Sequence, residues 1–484
     1  MKFLSVLEKK YNIIFSKDIS DYYTLPIENI FNDLKKIKKD VYADNERIVL
    51  YDTSNGIKEY YDLINTQLQE LDIPDFFVLV ITNNKYAKLI TCNSESGLYD
   101  LPITTIANNQ LGIDFSKMCV NPWINITIRN NGKLSVCCEY KDKSPSHILS
   151  SSIEEFYSSD EVNSIRQQFL NKKFPSGCAN CEKIEKVGGK SKRLRDMYVY
   201  RDDKFKLDWQ APKINYLVSL DIKLGNLCNL ACRICNKNNS SLWAKEENET
   251  IKIHTPNWFK NLTSSNISSL KYLQLTGGEP LLDKTHLTLL SYLIDKNVAK
   301  NVSLHYNSNG TIFPDHLLEI WKQFKSVEIS LSIDNLYEKF DYERYGLIKW
   351  ETVADVIEKF HKTDNILLNV YCTVTIFNIV DLENIYQYFA RKNTPVVFNI
   401  LENPRIYNIQ HLPKSAKTYI ANKLFQTTDI SFKNLIEPIV NTMNSTQLDF
   451  LDENFIAVTK KLDKKRNQSF SLTYPELAKL INYS

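Results

Sequence analysis

The sequence predicts an α/β fold whose centre is a parallel sheet of six β-α units, either open and doubly wound or curled into a partial barrel. A small α/β unit and a cysteine-organised segment precede it, and a helical appendage follows. Three observations carry this reading. From about Tyr216 onward, strand-like runs alternate with helix-like runs; eight of the ten cysteines fall between Cys119 and Cys235; and roughly the last seventy residues are mostly helical in pattern.

With 484 residues, 43% apolar and 24% charged, the chain can bury more than one core, and the length suggests roughly two to four domains. Lys+Arg 60 against Asp+Glu 57 leaves a net charge of +3, which gives no support to a nucleic-acid partner or a polybasic membrane surface. The apolar run at the N-terminus is too short for a signal peptide, and no uninterrupted apolar stretch of about eighteen residues occurs. No membrane partner and a cytoplasmic location are therefore expected. In a reducing compartment clustered cysteines point to metal or redox chemistry rather than disulfides.

Residues 1–110 read as a small α/β domain, with strands at Arg47–Tyr51 and Phe76–Thr82 and helical spacing over Gly56–Leu71. Residues 111–205 hold five cysteines and many turn formers. Within them Trp123–Val136 reads as a β-hairpin turning at Asn131-Gly132. Residues 206–410 contain the six strands, near Leu217–Lys223, Tyr272–Thr276, Val302–Tyr306, Ser326–Ser332, Leu368–Thr375 and Val396–Ile400. Helices are expected at Lys284–Lys296, Ile312–Phe324, Trp350–Lys362 and Asp381–Ala390. Residues 411–484 form the appendage, with Pro413 and Pro475 as breakers.

The first strand runs into a loop carrying Cys228-x3-Cys232-x2-Cys235. Three thiolates wrapped from one side can bind three irons of a cube and leave the fourth open, whereas tetrahedral zinc wants a fourth ligand and no His lies close in sequence. The loop also sits at the C-terminal end of a parallel strand, where α/β folds build their sites. Next come Gly277-Gly278-Glu279-Pro280 after the second strand, Asn309-Gly310-Thr311 after the third, and Ser332-x-Asp334 at the end of the fourth. Glycines there permit close backbone approach and a carboxylate can hold an ammonium; Ser332 and Asp334 are equally good helix caps. Upstream, the hairpin would bring Cys119 and Cys137 together, and Cys178-x2-Cys181 would complete a four-thiolate cage, for a cluster or for zinc.

These motifs, in this order, resemble those of the radical S-adenosylmethionine (radical SAM) enzymes, with Ile234 before the last cysteine of the signature. The upstream set is similar to the twitch or SPASM auxiliary-cluster domains, here placed N-terminal to the catalytic domain. Glu185-x-x-Gly188-x2-Ser191-x-Arg193, Glu343-Arg344-Tyr345 and Leu462-Asp463-x2-Arg466 resemble the same subgroup. The resemblance implies a partial (β/α)6 barrel with a [4Fe-4S] cluster on Cys228, Cys232 and Cys235. It implies S-adenosylmethionine held by that cluster and by Ile234, Gly277, Gly278, Glu279, Asn309, Ser332, Asp334 and Arg344, and an auxiliary [4Fe-4S] cluster on Cys119, Cys137, Cys178 and Cys181. The Gly-x4-Cys spacing of that family selects Cys137, with Cys138 as a possible exchange. The implied activity is reductive cleavage to a 5′-deoxyadenosyl radical that takes a hydrogen atom from a substrate, with a donor such as flavodoxin or ferredoxin.

A peptide or protein substrate is favoured, because relatives with auxiliary clusters often modify peptides and residues 1–110 add a unit able to bind a leader or carrier. A sugar or nucleotide-linked metabolite is the alternative, as is a non-catalytic binding protein stabilised by zinc or a cluster. Cys92 and Cys372 stand alone and read as core residues, although a thiol at Cys372 facing the barrel interior would suit hydrogen-atom donation. Lys190, Lys192, Arg193 and Arg195 read as a solvated basic face or as a contact for an anionic partner.

Overall fold

The computed structural model describes strand residues 14–15, 47–52, 75–82, 86–93 and 97–101, and then residues 117–141, 146–148, 150–186, 191–200, 207, 209, 216–250, 267–446 and 451–483. The chain divides into two compact units, 1–118 with 169–173, and 119–168 with 174–484.

The first unit is a five-stranded sheet of β1 (Ile14–Phe15), β2 (Arg47–Asp52), β3 (Asp75–Thr82), β4 (Tyr86–Asn93) and β5 (Gly97–Leu101), in that spatial order. β1 to β3 are parallel, while β4 runs antiparallel to β3 and β5 to β4. The two strands read from the sequence lie in β2 and β3. The Gly56–Leu71 helical pattern lies outside the described residues. β4 escaped the pattern because Leu89-Ile90 breaks its alternation; its strand form follows from pairing with β3 from Asp75↔Asn93 to Thr82↔Tyr86.

The second unit is built on β6 (Asn125–Ile128), β7 (Leu134–Ser135), β8 (Ser219–Lys223), β9 (Tyr272–Thr276), β10 (Ser303–Ser308), β11 (Ser326–Ser332), β12 (Ile366–Val374) and β13 (Val396–Ile400). The spatial order is β13-β12-β11-β10-β9-β8-β6-β7, with β8 to β13 all parallel. Sequential order without a reversal means that every right-handed crossover falls on one face, as in a barrel segment and unlike a doubly wound sheet. Alternation then separates the faces. Leu273, Leu275, Leu304, Tyr306, Val327, Ile329, Leu331, Val370 and Val374 are buried on one side, while the residues between them are mostly half-buried and polar.

The crossover helices are His286–Asp295, Leu318–Trp321, Trp350–His361 and Leu382–Ala390. The second is much shorter than the Ile312–Phe324 pattern because Pro314 has no N–H to give, and Asp315–Leu317 enters it as a 3-10 turn. The hairpin β6–β7 turns with Gly132 at φ +79°, a left-handed conformation open to glycine. β6 pairs with β8 from Asn125↔Ser219 to Ile128↔Ile222, so the cysteine-rich hairpin extends the same sheet across the 205/206 boundary. The C-terminal helices are Lys414–Phe425, Ile430–Asn444, Glu453–Arg466, Phe470–Thr473 and Pro475–Leu480; Pro413 precedes the first, and Pro475 opens the last. Among the described residues no helix is long and apolar enough to cross a membrane.

Candidate active site

The loop after β8 carries the three thiols, and its shape comes from what it is tied to. The N–H of Ala231 donates to the Tyr345 carbonyl at 2.7 Å and that of Arg233 to the Glu343 carbonyl at 2.8 Å, pairing the loop with residues 343–346. Ser240, which caps the helix Ser241–Glu246, gives its hydroxyl proton to the Leu230 carbonyl, and the Trp243 indole N–H donates to the Cys232 carbonyl at 2.7 Å.

Burial pushes the Cys228 thiol up to about 11 and raises Cys232 and Cys235 as well. Their neighbouring thiols add to the rise at Cys228 and Cys232, and the Arg344 guanidinium opposes it at Cys232 and Cys235. Three half-buried thiols that resist ionisation together are a donor set that iron cations would convert to thiolates. Arg344 stands beside them with Nη1 3.9 Å from Cys232 Sγ, and its buried Nε has no hydrogen-bond partner among the described residues. The residues present therefore fit a cluster.

Gly277 and Gly278 serve this loop directly. A Cβ on Gly278 would lie 2.3 Å from the Leu227 carbonyl oxygen, and one on Gly277, at φ +138°, would lie 2.9 Å from the Gly225 oxygen. Glu279 is buried with both oxygens engaged. Ser308 Oγ donates at 2.9 Å, the Asn309 N–H at 2.6 Å and the Leu281 N–H at 3.0 Å, and burial lifts its pKa to about 7. Its carboxylate thus ties the ends of β9 and β10 together. Asn309 reaches the loop, with Nδ2 3.8 Å from Cys228 Sγ and 2.9 Å from Asn229 Oδ1.

Asp334 does not stand free at the end of β11. Its Oδ2 takes a 2.6 Å hydrogen bond from Arg344 and its Oδ1 a 2.8 Å bond from the Thr373 N–H. Asp334 and Arg344, both among the residues the resemblance assigns to S-adenosylmethionine, are one buried ion pair. Ser332 is half-buried beside Tyr371 in the register, and Ile234 is half-buried in the cysteine loop. Cys372 is fully buried on the same face of β12 as Val370 and Val374, its thiol directed at the Asp334 carbonyl, so it does not face the open side of the sheet.

The second set of cysteines gathers around Asn121 and Ser191. The Asn121 N–H supports the Cys119 thiol, while Asn121 Nδ2 lies 3.7 Å from Cys137 Sγ and 2.7 Å from Asp196 Oδ2. Cys119 feels the charges of Cys178 and Cys181, and burial pushes Cys178 to about 12. The Ser191 hydroxyl and the Arg193 N–H support Cys181. Arg193 is buried and forks onto Glu185, which also accepts from Ser191 Oγ at 2.5 Å, so the Glu185/Ser191/Arg193 motif is a clasp beside the thiols. Cys138 turns to Asp221 and to its neighbour Cys137. Of the basic cluster, Arg193 and Lys192 are not a solvated face: Lys192 pairs with Asp196 at 2.9 Å. Residue 190 lies outside the described residues. Among the described residues no three His, Cys, Asp or Glu stand at the spacing of ligands around one metal ion.

The open face of the sheet was not singled out in the sequence, although polar residues at alternate positions marked it. Gln274 Nε2 donates to Asn307 Oδ1 at 3.3 Å, His305 Nε2 and Ser330 Oγ are 2.6 Å apart, and Asn369 Nδ2 donates to Glu328 Oε1 at 2.5 Å. The helix Lys192–Val199 bears on this face, where Arg195 Nη1 donates to the Tyr371 hydroxyl at 3.0 Å, and the Tyr200 hydroxyl that follows it donates to Ser219 Oγ at 2.9 Å.

Residues 222–389 match the radical SAM superfamily and residues 119–182 match the SPASM iron-sulfur cluster-binding domain. No curated protein matches the chain. Among solved structures it is similar to native anSMEcpe with bound AdoMet and Kp18Cys peptide, at 19% identity over 43% of this chain and 59% of that one, TM-score 0.34. It is also similar to Streptococcus suis SuiB bound to S-adenosylmethionine, at 12% identity over 65% of this chain and 72% of that one, TM-score 0.34. The chain thus spans well under two thirds of the length of the first of these. Both matched domain types hold iron–sulfur clusters, and the first binds S-adenosylmethionine. These matches give the chain a radical SAM domain over residues 222–389 and a SPASM iron–sulfur cluster-binding domain over residues 119–182.

Proposed function

We propose that this chain cleaves S-adenosylmethionine reductively at a [4Fe-4S] cluster on Cys228, Cys232 and Cys235, and that the radical so made takes a hydrogen atom from a peptide or protein substrate. The observation that carries the reading is the cysteine loop itself: three half-buried thiols at the C-terminal end of a parallel sheet, beside Arg344 and Asn309. When bound, such a cluster supplies the electron that splits the sulfonium.

The chain's own residues hold and orient. The backbone of 343–346 and Trp243 fix the loop. Arg344 offsets thiolate charge at Cys232, and its unpartnered Nε is the donor left for a carboxylate. Gly277 and Gly278 admit the loop's backbone. Asp334 acts through Arg344, and Glu279 through the Asn309 turn. Cys119, Cys137, Cys178 and Cys181 hold the auxiliary cluster, clasped by Glu185, Ser191 and Arg193. The amide- and hydroxyl-lined open face suits a peptide backbone, which offers a donor and an acceptor at each residue.

Anaerobic reconstitution tests this. The expected result is about eight iron and eight sulfide per chain, with reductant-dependent release of 5′-deoxyadenosine that is lost in a Cys228→Ala, Cys232→Ala, Cys235→Ala variant. Zinc in place of iron with no cleavage would overturn the reading. A mass change in a peptide encoded beside the gene supports the substrate class; modification of a sugar nucleotide alone would refute it.

A further inference from the structure

The three-cysteine loop has no helix or strand of its own, so its thiols stand where its anchors place them. One anchor lies about 230 residues away. The Arg233 side chain, between Cys232 and Cys235, is fully buried, and its guanidinium stacks 3.6 Å above the Tyr342 ring. Nη2 donates to Asp463 Oδ1 at 2.5 Å and to Gln468 Oε1 at 2.9 Å, and Nε to the Tyr342 carbonyl at 3.1 Å. Asp463 is held in return by the Tyr342 hydroxyl at 2.7 Å and by the Phe470 N–H at 2.7 Å. One turn further on, Arg466 lies between the Trp243 and Tyr345 rings, at 4.6 and 4.5 Å, with Nη2 3.0 Å from Glu246. Those two aromatic residues are the ones whose indole N–H and carbonyl hold Cys232 and Ala231.

We propose that Arg233 and Asp463, seconded by Arg466, form a latch through which the helix Glu453–Arg466 holds the three-cysteine loop in the shape that takes a cluster. This rests on the cluster assignment above. Arg233 and Asp463 are positioning residues. A buried ion pair is a poor source of net stability compared with an apolar pair, yet removing one partner leaves an uncompensated buried charge. Such a pair therefore enforces one arrangement more than it adds stability, and the arrangement enforced here is the loop's. Hydrogen-bonding partners outside the ligand set set metal affinity in the same manner, their loss weakening it about 10–100-fold.

The test uses full-length protein reconstituted with both clusters, and follows iron release to a chelator alongside the electron paramagnetic resonance spectrum of the reduced protein with S-adenosylmethionine. The auxiliary cluster serves as an internal standard for folding. In Asp463→Asn, half of the iron should leave about 10–100-fold faster, the other half at the wild-type rate, and the response of the spectrum to S-adenosylmethionine should weaken. Arg233→Lys, which keeps the charge and loses the fork, should fall between. Gln468→Leu removes one acceptor from Arg233, with the Nε2 donor to the Asp341 carbonyl at 3.2 Å, but leaves the ion pair; it should show the same order at smaller size, which keeps the test open if Asp463→Asn fails to fold. Glu476→Gln, at an exposed pair with Lys423 elsewhere in the appendage, should behave as wild type. Wild-type release of both halves in Asp463→Asn, or equal acceleration of both, would overturn the latch. Full iron in the triple cysteine variant would instead overturn the cluster assignment beneath it.

Discussion

An alanine at position 278 asks whether backbone contact sets the place of the cysteine loop. Its Cβ would stand 2.3 Å from the Leu227 carbonyl oxygen and 2.7 Å from the carbonyl carbon and oxygen of Asn226. Carbon and oxygen approach no closer than roughly 3.3 Å without strain, so the loop must retreat by about 1 Å. The obstructing atoms are main chain, and no rotamer change relieves them. The Leu227 oxygen also accepts the Glu279 N–H at 2.7 Å, a bond that the retreat breaks. Overpacking costs about 1–3 kcal/mol, and an orphaned buried N–H costs about 1–3 kcal/mol more. A displacement of about 1 Å at a reacting centre lowers rate by about 100-fold. Gly278→Ala should therefore lower Tm, lose iron from the three-cysteine loop and cut 5′-deoxyadenosine release by about that factor. Gly310→Ala is the contrast: φ is +73° and the nearest neighbour is a Val353 methyl at 3.3 Å. It should cost about 1–2 kcal/mol for the left-handed conformation while its iron stays in place. Full iron and wild-type cleavage in Gly278→Ala would refute the packing of loop against strand end.

Burial lifts the Glu279 carboxyl from its ordinary 4.5 to about 7, so the folded chain keeps a proton that the unfolded chain releases. Its penalty is absent below about pH 4 and reaches about 3 kcal/mol above pH 7; urea unfolding from about pH 5 to 8 should show Glu279→Gln losing less stability than wild type as pH rises, and equal slopes would exclude the effect. Because Asn121 supports Cys137 while Cys138 faces Asp221, Cys137→Ala should lose the auxiliary iron and Cys138→Ala should keep it; the opposite iron counts would exchange the two assignments. Cys372→Ala should cost about 1–2 kcal/mol of stability and leave substrate turnover intact, since its thiol is in the core; loss of turnover with cleavage retained would return it to the reaction.

Much of the fold could be read in advance because its signals are local. The strands from β8 to β13 each carry an apolar face at period two, and helical spacing lies between them. Asn131-Gly132 announced the hairpin, and the cysteine spacings announced two sets of thiols. What lay beyond local pattern has physical causes. Gly277 and Gly278 lie against the loop of residues 224–227, a close approach between segments some fifty residues apart. Arg193 and Lys192 looked like surface charge in a basic run, but Arg193 is buried and pairs with Glu185, and half-buried Lys192 pairs with Asp196. Cys372, read as a core residue with a barrel-facing thiol as the alternative, lies with Val370 and Val374 because of the phase of β12.

The sequence by itself determined which residues are candidates for the chemistry, because thiols, glycines and carboxylates must stand at set spacings within one loop or strand end, and spacing is a property of the chain. Only the tertiary structure decided what those residues hold on to. Asp334 meets Arg344, Asn121 meets Cys137, and Arg233 meets Asp463 about 230 positions away. A buried charge or polar group must find a partner, and which partner it finds depends on how distant segments pack together, which no local pattern records.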